Sequence, residues 1–303
     1  MCPQIIIGHF LLILNPNMML PDYVTPEMIK TFIEASLKED IGSGDHTSLA
    51  CIPADKRDKA ILKIKDEGII AGIEIAKAIF KIVDPSHNFT QILEDGDNVG
   101  YGDCAFEIEA NTLAILKAER LVLNIMQRMS GIATMSNRFL FEVEDLHVKI
   151  LDTRKTTPLN RFLEKWAVKL GGCENYRFGL YDRIILKDNH IAASGGIIPA
   201  INNVKKYLKE KQLDLKITVE VRNLVELYQI IEVGGVDRIM FDNFDIPILK
   251  EGVAIVAKRF ETEASGGIDI NNVREVAKTG VDFISSGALT HSFQSMDLSL
   301  KVV

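Results

Sequence analysis

Lys149-Ile150-Leu151 running into DTRK at 152–155, and Ile184-Ile185-Leu186 running into KDNH at 187–190, state a pattern that continues to residue 293. Four further short runs end the same way: Ile217-Thr218-Val219 before Glu220, Ile239-Met240-Phe241 before Asp242-Asn243, Thr262-Glu263-Ala264 before SGG at 265–267, and Phe283-Ile284-Ser285 before SGALTHS at 286–292. Helical patterns lie between most of them. Such alternation predicts parallel strands joined by crossover helices, and closing the sheet brings every strand ending to one face, where barrel active sites sit. That face carries Arg154, Lys155, Lys187, Glu220, Asp242 and two glycine-containing turns. Cations, two carboxylates and glycine turns together suit an anionic, phosphate-bearing substrate.

Upstream of this region the alternation is missing. Thr25 followed by Pro26 reads as a cap and first helical residue, with a helix running to about Lys38. EDIGSGDHTS at 39–48 reads as a glycine-rich loop. Residues 59–72 read as two strands joined at Glu67-Gly68, followed by a helix over about 73–83 and extended runs at 89–93 and 104–109, with turn-rich EDGDNVGYGD at 94–103 between those runs. These elements predict a separate α+β domain over 23–131. Leu113, Leu116, Leu121, Ile125 and Met129 recur at helical spacing, and Gly131 is expected to interrupt that helix and mark the domain boundary. The barrel domain is expected over 132–289, and a final turn-and-helix segment, 290–303, is expected to rejoin the first domain.

A chain of 303 residues can hold a barrel plus a smaller domain. The formal net charge of −7 argues against general nucleic-acid binding and requires anionic substrates to be captured by a local cluster of cations. Cys2, Cys51, Cys104 and Cys173 show neither CxxC pairing nor zinc spacing, which suits a reducing cytoplasm. The apolar run IIIGHFLLIL at 5–14 is too short to span a bilayer and lacks a basic leader, so it reads as part of an N-terminal extension over 1–22, lying upstream of a natural start at Met18 or Met19. No membrane partner is expected.

Arg154 can bind a carboxylate or phosphate through two parallel hydrogen bonds, and Lys155 acts as a flexible point charge. One Arg–Lys pair is more often a salt-bridged surface loop, but Arg177 and Lys187 follow around the next predicted strand, so four cations converge. His190 reads as a structural hydrogen-bonding residue. Glu220 and Asp242 end successive predicted strands, about 5 Å apart, and can share one substrate. They can coordinate Mg²⁺ directly or through water, hydrogen-bond a ribose, or stabilise a developing oxocarbenium ion. A strand-end acid is also a frequent helix cap, which Asp242-Asn243 before Asp245 can partly be. The turns Ser265-Gly266-Gly267 and Ser286-Gly287-Ala288 each present backbone amides ahead of a predicted helix, at the usual phosphate position of a barrel.

With these residues assembled, the chain resembles the decarboxylating quinolinate phosphoribosyltransferases, the nicotinate-nucleotide pyrophosphorylases of NAD biosynthesis. The resemblance runs from about Thr25 onward and rests on KEDIGSGDHTS, AERLVLNIMQRMSGIAT (118–134), LDTRKTTP (151–158), the GG…R…KDNH block, VEVRNL (219–224), IMFDN (239–243), EASGGI (263–268) and ISSGALTHS (284–292). It implies an N-terminal α/β-sandwich domain joined to an incomplete parallel α/β barrel, working as a dimer or hexamer. It implies conversion of quinolinate and phosphoribosyl pyrophosphate, with Mg²⁺, to nicotinate mononucleotide, pyrophosphate and CO₂. By the same resemblance Thr153, Arg154, Lys155, Arg177 and Lys187 bind quinolinate and phosphate, with Lys155 and Lys187 also catalytic. Glu220 and Asp242 serve ribose and metal, SGG and SGA bind phosphate, and Arg120 reaches the neighbouring subunit's site.

The chain departs from the family pattern at Tyr176, where histidine is usual, at Gly171-Gly172-Cys173 in place of three glycines, and at Pro158-Leu159-Asn160-Arg161 in place of Pro-Gly-Leu-Arg. Tyr176 can donate a hydrogen bond but cannot carry a positive charge. Every charged ligand remains. Two other readings compete: a relative that transfers phosphoribose to another heteroaromatic acid without decarboxylation, and a catalytically silent binding protein. A monocarboxylate needs fewer cations than four, and a silent homologue should have lost Glu220, Asp242 or Arg177.

Overall fold

The computed structural model describes residues 21–303, and the extension expected at 1–22 lies almost wholly outside the described residues. The described chain divides into two compact units, one running to Ser130 and taking in Met296–Val303, the other spanning Gly131–Ser295.

In the first unit, helix α1 (Pro26–Ile41) starts as its sequence dictates: Thr25 accepts a hydrogen bond from Met28 N, and Pro26 fills a position that needs no donor. Ile29, Ile33 and Leu37, spaced by four, form its buried stripe. A short α2 (His46–Cys51) follows, then β1 (Arg57–Ile64), β2 (Gly68–Ile69), α3 (Ile73–Val83), β3 (Asn88–Gln91), β4 (Asn98–Val99) and β5 (Cys104–Asn111). The expected loop at 39–48 is therefore mostly helical. Asp45 caps α2 by accepting from Ser48 N, so the glycines at 42 and 44 form only a four-residue link. The two strands expected within 59–72 exist but do not pair with each other: β2 pairs with β4, and β1 with β5. Phe80 of α3 packs on Phe89 and Phe106 of the antiparallel sheet, at ring-centroid distances of 6.3 and 6.2 Å.

Helix α4 runs without a break from Thr112 to Glu142, so Gly131 does not interrupt it. The residue is small for another reason. A Cβ there would lie 2.2 Å from Gln294 O, so the backbone of the 293–294 segment sits directly against the helix.

The second unit holds β6 (Lys149–Leu151), α5 (Arg161–Leu170), β7 (Ile184–Leu186), α6 (Asp188–Ala193), α7 (Ile197–Lys211), β8 (Ile217–Val221), α8 (Leu224–Val233), β9 (Arg238–Asp242), α9 (Ile246–Val256), β10 (Glu261–Ser265), α10 (Val273–Ala277), β11 (Phe283–Ser285) and α11 (Ala288–His291). Its six strands are parallel, in the order β6-β11-β10-β9-β8-β7. Every residue of β8 is buried, as a strand covered on both faces requires. Consecutive strands from β7 to β11 are neighbours, and β6 lies beside β11. No ladder joins β6 to β7 among the described residues, so the barrel is incomplete. A single parallel bridge from Leu151 to Glu174 brings the 171–183 loop alongside β6.

The last segment is a strand, not the helix expected. β12 (Leu298–Val302) pairs antiparallel with β1 and completes the first unit's sheet in the order β12-β1-β5-β3. Its alternation of Leu298 and Leu300 with polar residues has the period of a half-buried strand.

Candidate active site

The strand endings of the second unit surround a cavity of about 820 Å³. Thr153, Arg154, Lys155, Arg177, Lys187 and Asp242 line it, with Ser265-Gly266-Gly267 and Ser286-Gly287-Ala288. Local bonds aim several of these groups. Thr153 Oγ1 accepts from Lys155 N at 3.0 Å, and Thr290 Oγ1 donates to Lys155 O at 2.9 Å, which ties the 153–155 loop to α11. Arg177 donates through Nη1 to Arg183 O at 2.9 Å. Burial, and next the positive charge of Arg154, hold its guanidinium below the ordinary arginine range. Like charges brought together in this way are relieved by an anion.

Glu220 is not at a strand end. It is the fourth residue of β8, buried, and its Oε2 accepts from Lys187 Nζ at 2.5 Å. Its cross-strand partner is Met240, while Asp242 stands level with Ser265 of β10, so the two acids are staggered along the sheet and are not side by side. Asp242 does not cap the following helix either: Asp245 holds the N-cap position of α9, and Asp242 accepts instead from Ser265 Oγ (3.0 Å) and Asn243 Nδ2 (2.8 Å). His190 has the structural role expected of it, accepting from Lys187 N through Nδ1 at the start of α6.

The two glycine turns differ. Gly287 precedes α11 directly, whereas SGG is separated from α10 by residues 268–272, so its amides do not belong to a helix N-terminus. Gly266 has φ +93, and a Cβ there would lie 2.4 Å from Asn243 Oδ1, so no side chain fits. Ser286 Oγ donates to Ile268 O at 2.6 Å and links the two turns.

Tyr176, at the position where the family pattern has histidine, also lines the cavity. Its hydroxyl donates to Thr218 Oγ1 at 3.0 Å, and Arg183 and Arg238 lie 5.4 and 5.3 Å from its ring centre. Beneath it Arg238 pairs with buried Glu263 at 2.9 Å. Burial, followed by the charge of Glu263, pushes the Tyr176 phenol up, so it stays a neutral donor.

Arg120 lies apart in the chain's organisation: it is exposed on α4 in the first unit, and the cavity lining comes from the second unit alone. Sequence reasoning missed Asn243, His291 and Ser292, which also line the cavity. For His291 the signal was present, since it falls one helical turn after Gly287 within SGALTHS.

Residues 45–130 match the family model described as quinolinate phosphoribosyl transferase, N-terminal domain, and residues 132–301 match that of its C-terminal domain. A chloroplastic nicotinate-nucleotide pyrophosphorylase [carboxylating] of Arabidopsis thaliana is 43% identical over 289 residues, covering 90% of this chain and 82% of the relative. A probable nicotinate-nucleotide pyrophosphorylase [carboxylating] of Bacillus subtilis is 40% identical over 274 residues, covering 90% and 93%. The solved nicotinate-nucleotide pyrophosphorylase of Francisella tularensis superposes with a TM-score of 0.87 at 37% identity, over 92% of this chain and 98% of that one.

Proposed function

The chain belongs to the quinolinate phosphoribosyltransferase family, and on that premise we propose that its cavity joins quinolinate to phosphoribosyl pyrophosphate, releasing pyrophosphate and CO₂ and forming nicotinate mononucleotide for NAD biosynthesis. The observation that carries this reading is the convergence of Arg154, Lys155, Arg177 and Lys187 on one cavity that also holds Asp242 and both glycine turns.

Arg154 and Arg177 suit the two ring carboxylates, since each guanidinium offers paired donors. Lys155 and Lys187 supply compact positive charge to phosphate oxygens, and the backbone amides of the SGG and SGA turns receive the 5′-phosphate. In the transfer step the bond from the anomeric carbon to the pyrophosphate oxygen breaks as the pyridine nitrogen bonds to that carbon. Asp242, in the cavity wall, favours positive charge on the ribose ring, while Glu220, behind Lys187, holds that lysine in place. Loss of the 2-carboxylate as CO₂ leaves its electron pair on ring C2 as an in-plane carbanion, which the adjacent pyridinium nitrogen and the cavity cations stabilise until a proton bonds to that carbon.

Mg²⁺ fits the acids on hand, although no cluster of three metal-binding side chains exists among the described residues. A hard cation of this kind is commonly held by one or two carboxylates, water and substrate phosphate; Asp242, which lines the cavity, would provide a protein oxygen, and Glu220, behind Lys187, would act through water. When bound, it supplies charge neutralisation to the pyrophosphate. Exposed Arg120 supports a dimeric or hexameric assembly in which it enters a neighbour's site in trans. Free thiols at Cys51, Cys104 and Cys173 favour a reducing compartment, the cytoplasm, and no described helix is long and apolar enough to cross a membrane.

A product assay with quinolinate and nicotinic acid in parallel tests the reading. Mg²⁺-dependent formation of nicotinate mononucleotide from quinolinate, with nicotinic acid a poor substrate, is expected. Equal turnover of both acids, or turnover of nicotinic acid alone, would remove it.

A further inference from the structure

We propose that the buried Lys165–Asp152 pair is a positioning device that sets the spacing between Arg154-Lys155 on one loop and Arg177 on another, and so makes the cavity select for adjacent carboxylates. The inference rests on the cavity being a quinolinate site.

Both side chains of the pair are fully buried. Lys165 Nζ donates to Asp152 Oδ1, and the same oxygen accepts from Tyr176 N at 2.8 Å. Oδ2 accepts from Asn175 Nδ2 at 2.7 Å. Asp152 thus immediately precedes the loop that carries Arg154 and Lys155, while its carboxylate grips the residue immediately before Arg177. Lys165 extends the tie through a bond from Nζ to Tyr176 O at 3.3 Å, and its own carbonyl accepts from Asn175 Nδ2 at 2.7 Å. Other α5 residues hold the same two loops. Arg161 donates to Thr156 Oγ1 and to Phe178 O at 3.0 and 3.1 Å, and buried Glu164 accepts from Thr157 N at 3.3 Å.

Stability alone gives a poor account of such a pair. Taking two charges out of water is costly, and apolar groups of similar volume often serve as well or better. What an apolar contact cannot do is fix two loops in register through directional bonds at a carboxylate. The register matters because Arg154 and Arg177 repel each other and would drift apart if untied. Two carboxylates on neighbouring ring carbons form a rigid ligand, and a rigid ligand is bound tightly only by donors already at the right separation.

The test is the double variant Asp152→Asn with Lys165→Met, which removes both charges at similar volume. Calorimetry gives the quinolinate and nicotinic acid affinities, kinetics give the KM for phosphoribosyl pyrophosphate, and a melting curve confirms folding. Quinolinate Kd is expected to rise by about tenfold or more, the preference over nicotinic acid to shrink, and the KM for phosphoribosyl pyrophosphate, which Lys155 also serves, to rise by less than the quinolinate Kd. If the double variant does not fold, the half-buried Asn175→Ala decides, with the same pattern at about threefold. A folded variant with unchanged quinolinate affinity and preference overturns the proposal while leaving the functional reading intact. Wild-type protein that binds the two acids equally overturns the functional reading and this proposal with it.

Discussion

Lys187 Nζ lies 2.5 Å from Glu220 Oε2, and the contact follows from strand register: Leu186 pairs with Val219, so Lys187 just past the end of β7 comes level with Glu220 of β8. The cation stands half-exposed in the cavity wall and the acid is buried beneath it. Lys187 therefore has a second task, to offset the charge of a carboxylate with little access to water. Removing either residue leaves the other uncompensated. Glu220→Ala and Lys187→Ala should each lower kcat/KM by roughly a hundredfold, and the double variant should fall well short of the product of the two losses. A coupling energy of about 1–2 kcal/mol in the resulting cycle is expected, and additive losses would show that the two residues act separately.

Arg177→Ala removes a partly desolvated guanidinium that we propose pairs with a ring carboxylate. Quinolinate affinity should drop by about 2–5 kcal/mol, roughly thirtyfold to several-thousandfold, while Asp242→Ala should lower turnover with quinolinate binding preserved. Calorimetry on the two variants checks this split, and unchanged binding in Arg177→Ala would contradict the assignment.

Assembly is testable by complementation. Arg120→Ala protein mixed with Lys187→Ala protein, each strongly impaired by itself, should recover activity after subunit exchange, because a hybrid dimer with reciprocal sites gathers both lesions in one site and leaves the other intact. Random mixing gives at most about a quarter of wild-type activity. Exchange verified by mass spectrometry with no recovery would show that Arg120 does not act in trans.

Asp84 links folding of the first unit to pH. Burial pushes its carboxyl up, but this is outweighed by hydrogen bonds from the Ser86 hydroxyl, Asn111 N and Ser86 N and by the charge of Arg57, which together hold it down at about 2. A folded-state value below the ordinary 3.8 stabilises the protein at pH above about 4, and that contribution is lost as pH falls toward 2. Asp84→Asn should cost about 1–2 kcal/mol at pH 7, a figure reduced for solvent screening, and the gap to wild type should close on acidification. Urea unfolding at a series of pH values measures it, and a gap independent of pH would contradict the role given to the hydrogen-bonded carboxylate.

The parallel strands were legible because each is a short apolar run ending in polar residues, and that signal survives in a single sequence. The cavity lining was legible for the same reason, since strand ends in such a sheet face one way. Position along a strand was less so: Glu220 reads as a terminus because the apolar run stops before it, yet β8 continues to Val221 and buries the acid against Lys187. Gly131 reads as a helix breaker, but the close approach of Gln294 that calls for glycine is a contact between residues far apart in sequence. The tie from Asp152 to Lys165 and Tyr176 was invisible for the same reason, because no local pattern marks which lysine of a helix turns inward. Asp242 reads as a possible helix cap because a helix does follow, and only the bonds to Ser265 and Asn243 exclude that role.

The pairing of β12 with β1 bears on the order in which the chain matures on the ribosome. β12 is synthesised after every strand of the six-stranded sheet, so β1 emerges early with one edge lacking its eventual neighbour. Domains commonly fold as they emerge, N-terminal part first, but here the N-terminal unit's sheet is completed only by residues made after the parallel sheet. The nascent chain thus carries an open strand edge through most of its translation, which makes this stage the one most exposed to misassociation and the one at which a chaperone has the longest opportunity to act.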